Sequence, residues 1–133
     1  MPDKIILLRV SGDLVKSLLE NSVSAWPVLD GRFACLSGLK FSFDPNLPAG
    51  SRVHTVKRLD GQPFDLSREA KYNISAKEYI ALGKDGYTAF TDPSVEWLND
   101  SESALSIQDI VFGAFESLGP NYEMNNEKNE ARR

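Results

Sequence analysis

The chain has 133 residues, of which 41% are hydrophobic and 26% charged, a balance typical of one globular domain with a buried core. Its formal net charge of −4 at pH 7 disfavours binding to nucleic acid, which requires a basic surface. The longest purely apolar run near the N-terminus, Ile5 to Leu8, is too short for a signal peptide or a membrane span, so no membrane contact is expected. Cys35 is the single cysteine, which excludes an internal disulfide and slightly favours a reducing, cytoplasmic location.

Periodic hydrophobic patterns divide the first half of the chain into strands and one helix. An apolar, β-branched run near the N-terminus predicts a buried strand. Apolar residues from Leu14 to Trp26 then recur at helical spacing until Pro27. The elements predicted here are a strand at 4–10, a helix at about 13–25, a strand at 39–43, a surface loop at 44–50, and a strand from 53 that turns at Asp60-Gly61 into a β-hairpin.

The middle of the second half contains a glycine-rich stretch. A strand is predicted at 72–76, from the sequence YNISA. The stretch AKEYIALGKDGYTAF, residues 76–90, is then interpreted as a strand, a tight glycine loop and a second strand. A short helical or loop segment is expected around Trp97.

The C-terminal part predicts a second helix and a tail. The segment SIQDIVFGAFESLG, residues 106–119, places its apolar side chains on one helical face, and Ser106 and Asp109 resemble a capped helix start. The polar residues 120–133 show no periodicity and are expected to be disordered. Together the elements predict an α+β fold, with mixed or antiparallel sheets and hairpins flanked by helices, in a single domain spanning 1–119.

The residue inventory provides no self-sufficient catalytic machinery. His54 is the single histidine, whereas hydrolytic dinuclear metal sites and Ser-His-Asp or Cys-His arrangements all draw on histidine. Carboxylates at turns, such as Asp44 and Asp60, are typical of local bonding to the backbone. No phosphate-binding loop of the G-x-x-x-x-G-K-[ST] type occurs. We therefore expect neither a cofactor nor a metal site in this chain.

The glycine loop carries a pattern that turn formation alone does not explain. Gly83 and Gly86 flank a charged pair, Lys84 and Asp85, and Tyr79 lies a few residues upstream. On periodicity alone, Tyr79 is more often a core or edge aromatic, and Asp85 is more often a turn carboxylate. An aromatic ring followed by an acid in a glycine loop could also stack a planar base and accept hydrogen bonds from sugar hydroxyls.

Three stretches together resemble the C-terminal domain of the 5′-nucleotidase family. They are GDLVKSLLENSVS at 12–24, GRFACLSGLKFSFDPNLPAGSRV at 31–53 and YNISAKEYIALGKDGYTAF at 72–90. The family's Gly-Gly-Asp-Gly-aromatic loop is matched by GKDGY. Lys84, in place of the second glycine, resembles the variant of a eukaryotic, fungal-like branch. The resemblance covers about residues 4–91.

The resemblance implies a division of labour between two domains. In that family an N-terminal metallophosphatase domain holds two divalent metal ions and hydrolyses the phosphate ester, and this chain carries no counterpart of it. The C-terminal domain grips the nucleoside part of the substrate. The implied partners are therefore a nucleoside or nucleotide and a metallophosphatase domain, in the same parent chain or in another chain.

The resemblance also implies roles for residues of the glycine loop. Tyr79 resembles the second of two aromatic rings that sandwich the base, and Asp85 resembles the acid that binds ribose hydroxyls. Gly83 and Gly86 would let the backbone turn close to the sugar, and the first ring would lie at or before Met1. We expect a nucleoside-recognition domain that is not catalytic alone. The alternative is an interaction or structural module that keeps the fold without ligand binding, and an autonomous hydrolase is disfavoured.

Overall fold

The computed structural model describes residues 3–119. Its elements, in chain order, are β1 (Ile5–Ser11), α1 (Gly12–Ser22), β2 (Leu39–Phe43), β3 (Val53–Arg58), β4 (Lys71–Lys77), α2 (Glu78–Ala81), β5 (Glu96–Trp97) and α3 (Ile107–Leu118). Two short 3₁₀ turns, Lys84–Gly86 and Thr88–Thr91, follow α2. The tail predicted at 120–133 lies outside the described residues.

Two antiparallel sheets form the frame of the molecule. β1 is the central strand of a three-stranded sheet with the order β4-β1-β5, and it pairs with β4 along its whole length. β2 and β3 form a separate two-stranded sheet. Every strand pairing in the described part of the chain is antiparallel. The predicted α+β fold in a single domain is therefore confirmed, with antiparallel rather than mixed sheets.

The core lies between α1 and one face of the β1–β4 pair. Ile6, Leu8 and Val10 alternate along β1 and are buried, because successive strand residues point to opposite faces. They pack against the buried face of α1, which carries Val15, Leu18 and Leu19. Burial of this shared face orients α1 on the sheet.

A buried carboxylate joins α1 to the second sheet. The Glu20 side chain is buried and accepts hydrogen bonds from the backbone N–H groups of Arg52 and Val53, each at 2.9 Å. A buried charge is tolerated only where such partners replace its hydration. The start of β3 is therefore fixed to the last turns of α1.

The stretch 76–90 departs most from the sequence prediction. Instead of a hairpin, the chain leaves β4, forms the one-turn helix α2 and continues through the two 3₁₀ turns. Both strands predicted on either side of the glycine loop are wrong, because β4 ends at Lys77 and only helical turns follow it up to Thr91. Tyr87 and Phe90 are both buried in the core, and this spacing of three residues suits a helical turn, whereas side chains of a strand alternate between faces.

Smaller differences occur at two other predicted elements. The chain does turn at Asp60-Gly61, but the returning segment pairs with β3 only through the isolated bridge between Lys57 and Pro63. The segment around Trp97 is the edge strand β5, because Trp97 pairs with Leu8 of the central strand. A two-residue strand is too short to give a periodic signal in sequence.

The predicted C-terminal helix is present as α3, but its surroundings differ from those of an ordinary amphipathic helix. The Ser106 hydroxyl accepts the backbone N–H of Asp109 at 3.1 Å, as a helix cap does. An apolar stripe usually marks the face that packs on a core. Here every residue from Gln108 to Leu118 is exposed.

Candidate functional site

The glycine loop, defined as residues 83–87, adopts a left-handed backbone at three positions. Gly83 has a φ of 84°, Asp85 of 54° and Gly86 of 80°. Within residues 3–119, Asp85 is the one non-glycine residue with a positive φ. Such residues carry backbone strain, and strain of this kind concentrates at functional sites. The glycine loop is thus a candidate site on backbone geometry alone.

A side chain from α1 holds this strained turn. Asn21 donates a hydrogen bond from its amide nitrogen to the backbone oxygen of Asp85 at 3.0 Å. A Cβ atom added at Gly86 would lie 2.4 Å from the Asn21 amide oxygen, closer than real contacts allow. Glycine is therefore required at 86 both for the positive φ and for the close approach of Asn21.

A second support comes from the loop between α1 and β2. Tyr87 is buried, and its hydroxyl donates to the backbone oxygen of Arg32. Burial, followed by the negative charge of Asp85, raises the pKa of the Tyr87 hydroxyl. The Arg32 backbone N–H, and secondly its side chain, donate hydrogen bonds to Asp30, which lowers the pKa of the Asp30 carboxyl. The glycine loop and the 30–33 segment are thereby held together.

Tyr79 and Asp85 meet at the surface of this arrangement. The Tyr79 hydroxyl donates to Asp85 Oδ1 at 3.2 Å. This hydrogen bond, and secondly the carboxylate charge, raise the pKa of the Tyr79 hydroxyl above its usual range. Tyr79 remains 52% exposed, and Asp85 is exposed as well. A planar ring and a carboxylate acceptor therefore stand side by side, open to a ligand.

An open apolar groove of about 860 Å³ adjoins this pair. Its walls come from α1, from β4 and from the loop that leads to β2. Its apolar walls include Val15, Leu18, Phe33, Leu36, Ile74 and Ala76, and Cys35, Tyr79 and Asp85 also line it. Gly31 also lines it, and a Cβ at that position would lie 3.7 Å from Asp85 Oδ2. We call this feature the apolar groove.

Sequence reasoning selected Tyr79, Gly83, Asp85 and Gly86, and the fold brings all four together around one turn. Their binding roles stay predictions. The residues that it missed are Asn21 and Tyr87, which support the loop, and Gly31, which lies beside Asp85. They lie in the stretches 12–24, 72–90 and 31–53 respectively. Each of these stretches carries the family resemblance, so position within the motif was the available signal.

Other chemistry is sparse in the described part of the chain. His54 is exposed on β3, and Cys35 is a free, exposed thiol. No three His, Cys, Asp or Glu side chains between residues 3 and 119 lie close enough to hold a metal ion together.

The helices between residues 3 and 119 are too short to cross a bilayer. Among the helices of residues 3–119, none combines the length and the apolar character that such a crossing requires.

Comparison with known proteins assigns the chain to a family. The family model described as 5′-nucleotidase, C-terminal domain, matches residues 1–92. An apyrase of Aedes albopictus is 32% identical over 105 residues, which are 73% of this chain and 18% of the apyrase. The chain therefore belongs to the 5′-nucleotidase C-terminal domain family.

Solved structures agree with this assignment. The 5′-nucleotidase precursor of Thermus thermophilus superposes with a TM-score of 0.68 at 32% identity, covering 77% of this chain and 20% of that structure. The NAD nucleotidase of Haemophilus influenzae has a TM-score of 0.66 at 24% identity and shares the fold, covering 92% of this chain and 23% of that structure. The chain thus spans about a fifth of the length of these proteins.

Proposed function

We propose that this chain is a nucleoside- or nucleotide-recognition domain of a 5′-nucleotidase-like phosphohydrolase and is not catalytic alone. The observation that carries the proposal is the pairing of the exposed Tyr79 ring with the Asp85 carboxylate on a strained turn. Strain at a non-glycine residue persists only where surrounding contacts enforce it, and Asn21 supplies one such contact. The proposal extends to a eukaryotic, fungal-like branch, on the basis of Lys84.

Each group has a distinct role in this proposal. The Tyr79 ring stacks on one face of the base, which contributes about 1–3 kcal/mol. Asp85 accepts hydrogen bonds from the ribose hydroxyls through its carboxylate oxygens. Gly83 and Gly86 keep side chains away from the sugar. Phosphate hydrolysis is assigned to a metallophosphatase domain with two divalent metal ions, in the same parent chain or in another chain.

A titration followed by amide NMR shifts tests the binding role. Adenosine and AMP are expected to shift the amides of the glycine loop and of Gly31. Tyr79→Ala is expected to weaken binding about 5- to 150-fold, as for loss of one stacking face. Leu59→Ala removes an exposed side chain from the turn after β3 and is the matched surface control. The absence of shifts at millimolar ligand would contradict the proposal.

The sugar contact is tested with a ligand that lacks it. Adenosine is expected to bind about tenfold more tightly than its 2′,3′-dideoxy analogue, because the analogue leaves Asp85 without its hydroxyl partners. Asp85→Asn should reduce this preference. Equal affinity of the two ligands for the unmodified chain would remove Asp85 from the site. Release of phosphate from AMP by the purified chain with added divalent metal would contradict the non-catalytic assignment.

A second candidate function is an interaction or structural module that keeps the fold without ligand binding. The exposed apolar side chains of α3 favour it, since an exposed apolar patch is typical of a protein contact. A partner chain covering the glycine loop, with no response to nucleosides, would support this candidate against the first.

A further inference from the structure

Two charged side chains, Glu20 of α1 and Arg52 just before β3, join the helix to the second sheet in both directions. Glu20 accepts hydrogen bonds from the backbone N–H groups of Arg52 and Val53. In return, Arg52 Nη1 donates to three backbone oxygens that follow α1, at 2.7 Å to Val23, 3.1 Å to Ser24 and 3.2 Å to Trp26. Each side chain thus satisfies backbone groups of the other segment, and we call these reciprocal contacts the clasp.

The clasp closes the C-terminal end of α1. Carbonyl groups at and after the end of a helix have no partner within it, and a basic side chain there supplies hydrogen bonds and a favourable charge. α1 has no basic residue in its own last turn. Arg52 supplies one from outside the helix, and its Nε also donates to the backbone oxygen of Leu47 at 2.8 Å. The guanidinium is therefore fixed between two segments, which its rigid fork of donors makes possible.

Ser24 connects the clasp to the glycine loop. Its hydroxyl donates to the backbone oxygen of Asn21 at 2.7 Å and accepts a hydrogen bond from Arg32 Nη1 at 3.3 Å. Asn21 makes the hydrogen bond to the backbone oxygen of Asp85, and the backbone oxygen of Arg32 accepts the Tyr87 hydroxyl. Both supports of the glycine loop therefore meet at one hydroxyl group, and the backbone of the residue that carries it is held by the clasp.

The contacts between the clasp and the glycine loop are polar. An open hollow of about 400 Å³ lies between α1 and the loop. Its lining includes Glu20, Asn21, Ser24, Gly50, Gly86 and Thr88. Hydrogen bonds depend on direction and distance, whereas apolar packing is non-directional. On this side, the position of the glycine loop is therefore set by where the hydroxyl and amide groups stand.

We propose that Arg52 and Ser24 are positioning residues of the nucleoside site. The clasp fixes Ser24, Ser24 aligns Asn21 and Arg32, and these hold Asp85 where its carboxylate meets the ribose hydroxyls. Neither Arg52 nor Ser24 lines the apolar groove, so both act on the ligand through the residues that they hold. This inference rests on the proposed function, since the contact that it serves is the one between Asp85 and the sugar.

Affinities for adenosine and for its 2′,3′-dideoxy analogue, measured by NMR titration, test the positioning role. Substitutions along a network of this kind change binding about 2- to 30-fold. Because the expected preference for adenosine is about tenfold, loss of positioning can remove no more than that. We expect Arg52→Met and Ser24→Ala to weaken adenosine binding about 2- to 10-fold and to leave binding of the analogue nearly unchanged.

Each of these substitutions has a matched control. The Ser22 hydroxyl donates to the backbone oxygen three residues before it at 2.6 Å, as the Ser24 hydroxyl does, but it makes no hydrogen bond to Arg32 within residues 3–119. Ser22→Ala therefore removes the same kind of hydrogen bond without disconnecting the two supports. Arg58→Met removes an exposed guanidinium at the end of β3. Both controls are expected to keep the preference for adenosine.

The pKa of the Tyr79 hydroxyl reports the position of Asp85 without any nucleoside, because the hydrogen bond to Asp85 raises it. Arg52→Met and Ser24→Ala are expected to lower this pKa toward the ordinary tyrosine value of about 10, measured from the ring carbon NMR shifts. A residue that contributes only to stability would leave the pKa unchanged as long as the protein is folded.

The two readouts separate failure of this inference from failure of the proposed function. An unchanged Tyr79 pKa together with an unchanged preference for adenosine in Ser24→Ala would overturn the positioning role, even where Arg52→Met does not fold. If the unmodified chain binds no adenosine while Ser24→Ala still lowers the pKa of Tyr79, the proposed function is rejected and the positioning of Asp85 by Ser24 is supported.

Discussion

The glycine loop and α3 lie at opposite extremes of structural support. The glycine loop is exposed and strained, yet Asn21 of α1 and the buried Tyr87 ring hold it from two sides. α3 has favourable helical backbone, yet within residues 3–119 the hydrogen bonds that tie it to the fold lie at its first turn, through Ile107 and the Ser106 cap. Strain is thus found where contacts are dense, and unstrained structure where they are few.

The difference indicates how each region would work. A turn fixed by neighbouring elements presents its side chains in one geometry, so a ligand binds with little loss of conformational entropy. A helix without packing gains stability only when a partner covers it. The glycine loop therefore suits recognition of a small molecule, and α3 suits association with a protein surface.

Among the substitutions that test this comparison, Gly86→Ala is expected to change the free energy of unfolding most. The alanine would have to keep a left-handed backbone, and its Cβ would lie only 2.4 Å from the Asn21 amide oxygen. The left-handed conformation costs about 1–2 kcal/mol, and loss of the Asn21 hydrogen bond costs about 0.5–1.5 kcal/mol more. We expect the free energy of unfolding, measured by urea denaturation, to fall by about 1.5–3.5 kcal/mol.

Gly38→Ala is the matched control for this substitution. Gly38 also has a positive φ, of 96°, but a Cβ there meets no atom within 4 Å. The free energy of unfolding should therefore fall by about 1–2 kcal/mol, from the backbone alone. Equal losses of unfolding free energy in Gly86→Ala and Gly38→Ala would show that Asn21 does not support the glycine loop.

Ser106→Ala tests whether α3 is uncoupled from the fold. Removing the cap costs a helix about 1 kcal/mol. Because residues 108–118 of α3 are exposed in the described structure, we expect the loss to appear as faster hydrogen exchange at 109–118 and weaker helical circular dichroism in dilute solution. The urea midpoint should change little. Ser117→Ala is the matched control, because it makes the same substitution at the other end of α3. A full loss of about 1 kcal/mol of global stability in Ser106→Ala would show that α3 is coupled to the core.

The two regions also differ in how far sequence reasoning reaches. For α3, the predicted helix and its Ser106 cap are present, because apolar period and cap are local properties. Its exposure was not predictable, since burial depends on whether a distant segment offers a matching surface. An amphipathic stripe indicates that a face is to be covered, without indicating by what.

The glycine loop shows the opposite outcome. Sequence reasoning selected the residues that the fold brings together, but it predicted a strand after them where the chain forms a 3₁₀ turn. Glycines mark positive φ whatever element follows, so the residues could be found without the conformation. The turn is specified by burial of Tyr87 and Phe90 against the core, a non-local effect that overrides strand propensity.

The smallest expected effect is a change in the pKa of Tyr79, which a titration detects and which reports the contact between Tyr79 and Asp85. The hydrogen bond and charge of Asp85 raise the pKa of the Tyr79 hydroxyl. A raised folded-state pKa means that this contact stabilises the fold below the usual tyrosine pKa of about 10, and that its contribution is lost as the pH rises through the folded value. Asp85→Asn is expected to lower the pKa of Tyr79, measured from the ring carbon NMR shifts at alkaline pH.

Tyr87 provides an internal comparison for this titration. Its pKa is raised first by burial and only secondly by Asp85, so Asp85→Asn should move it less than that of Tyr79. Glu69→Gln removes the same charge from an exposed position between β3 and β4 and is the control. If Tyr79 titrates alike in Asp85→Asn and in the unmodified chain, the ring and the carboxylate do not meet in solution. The glycine loop would then present two separate groups, and it would be no more preorganised for binding than α3 is.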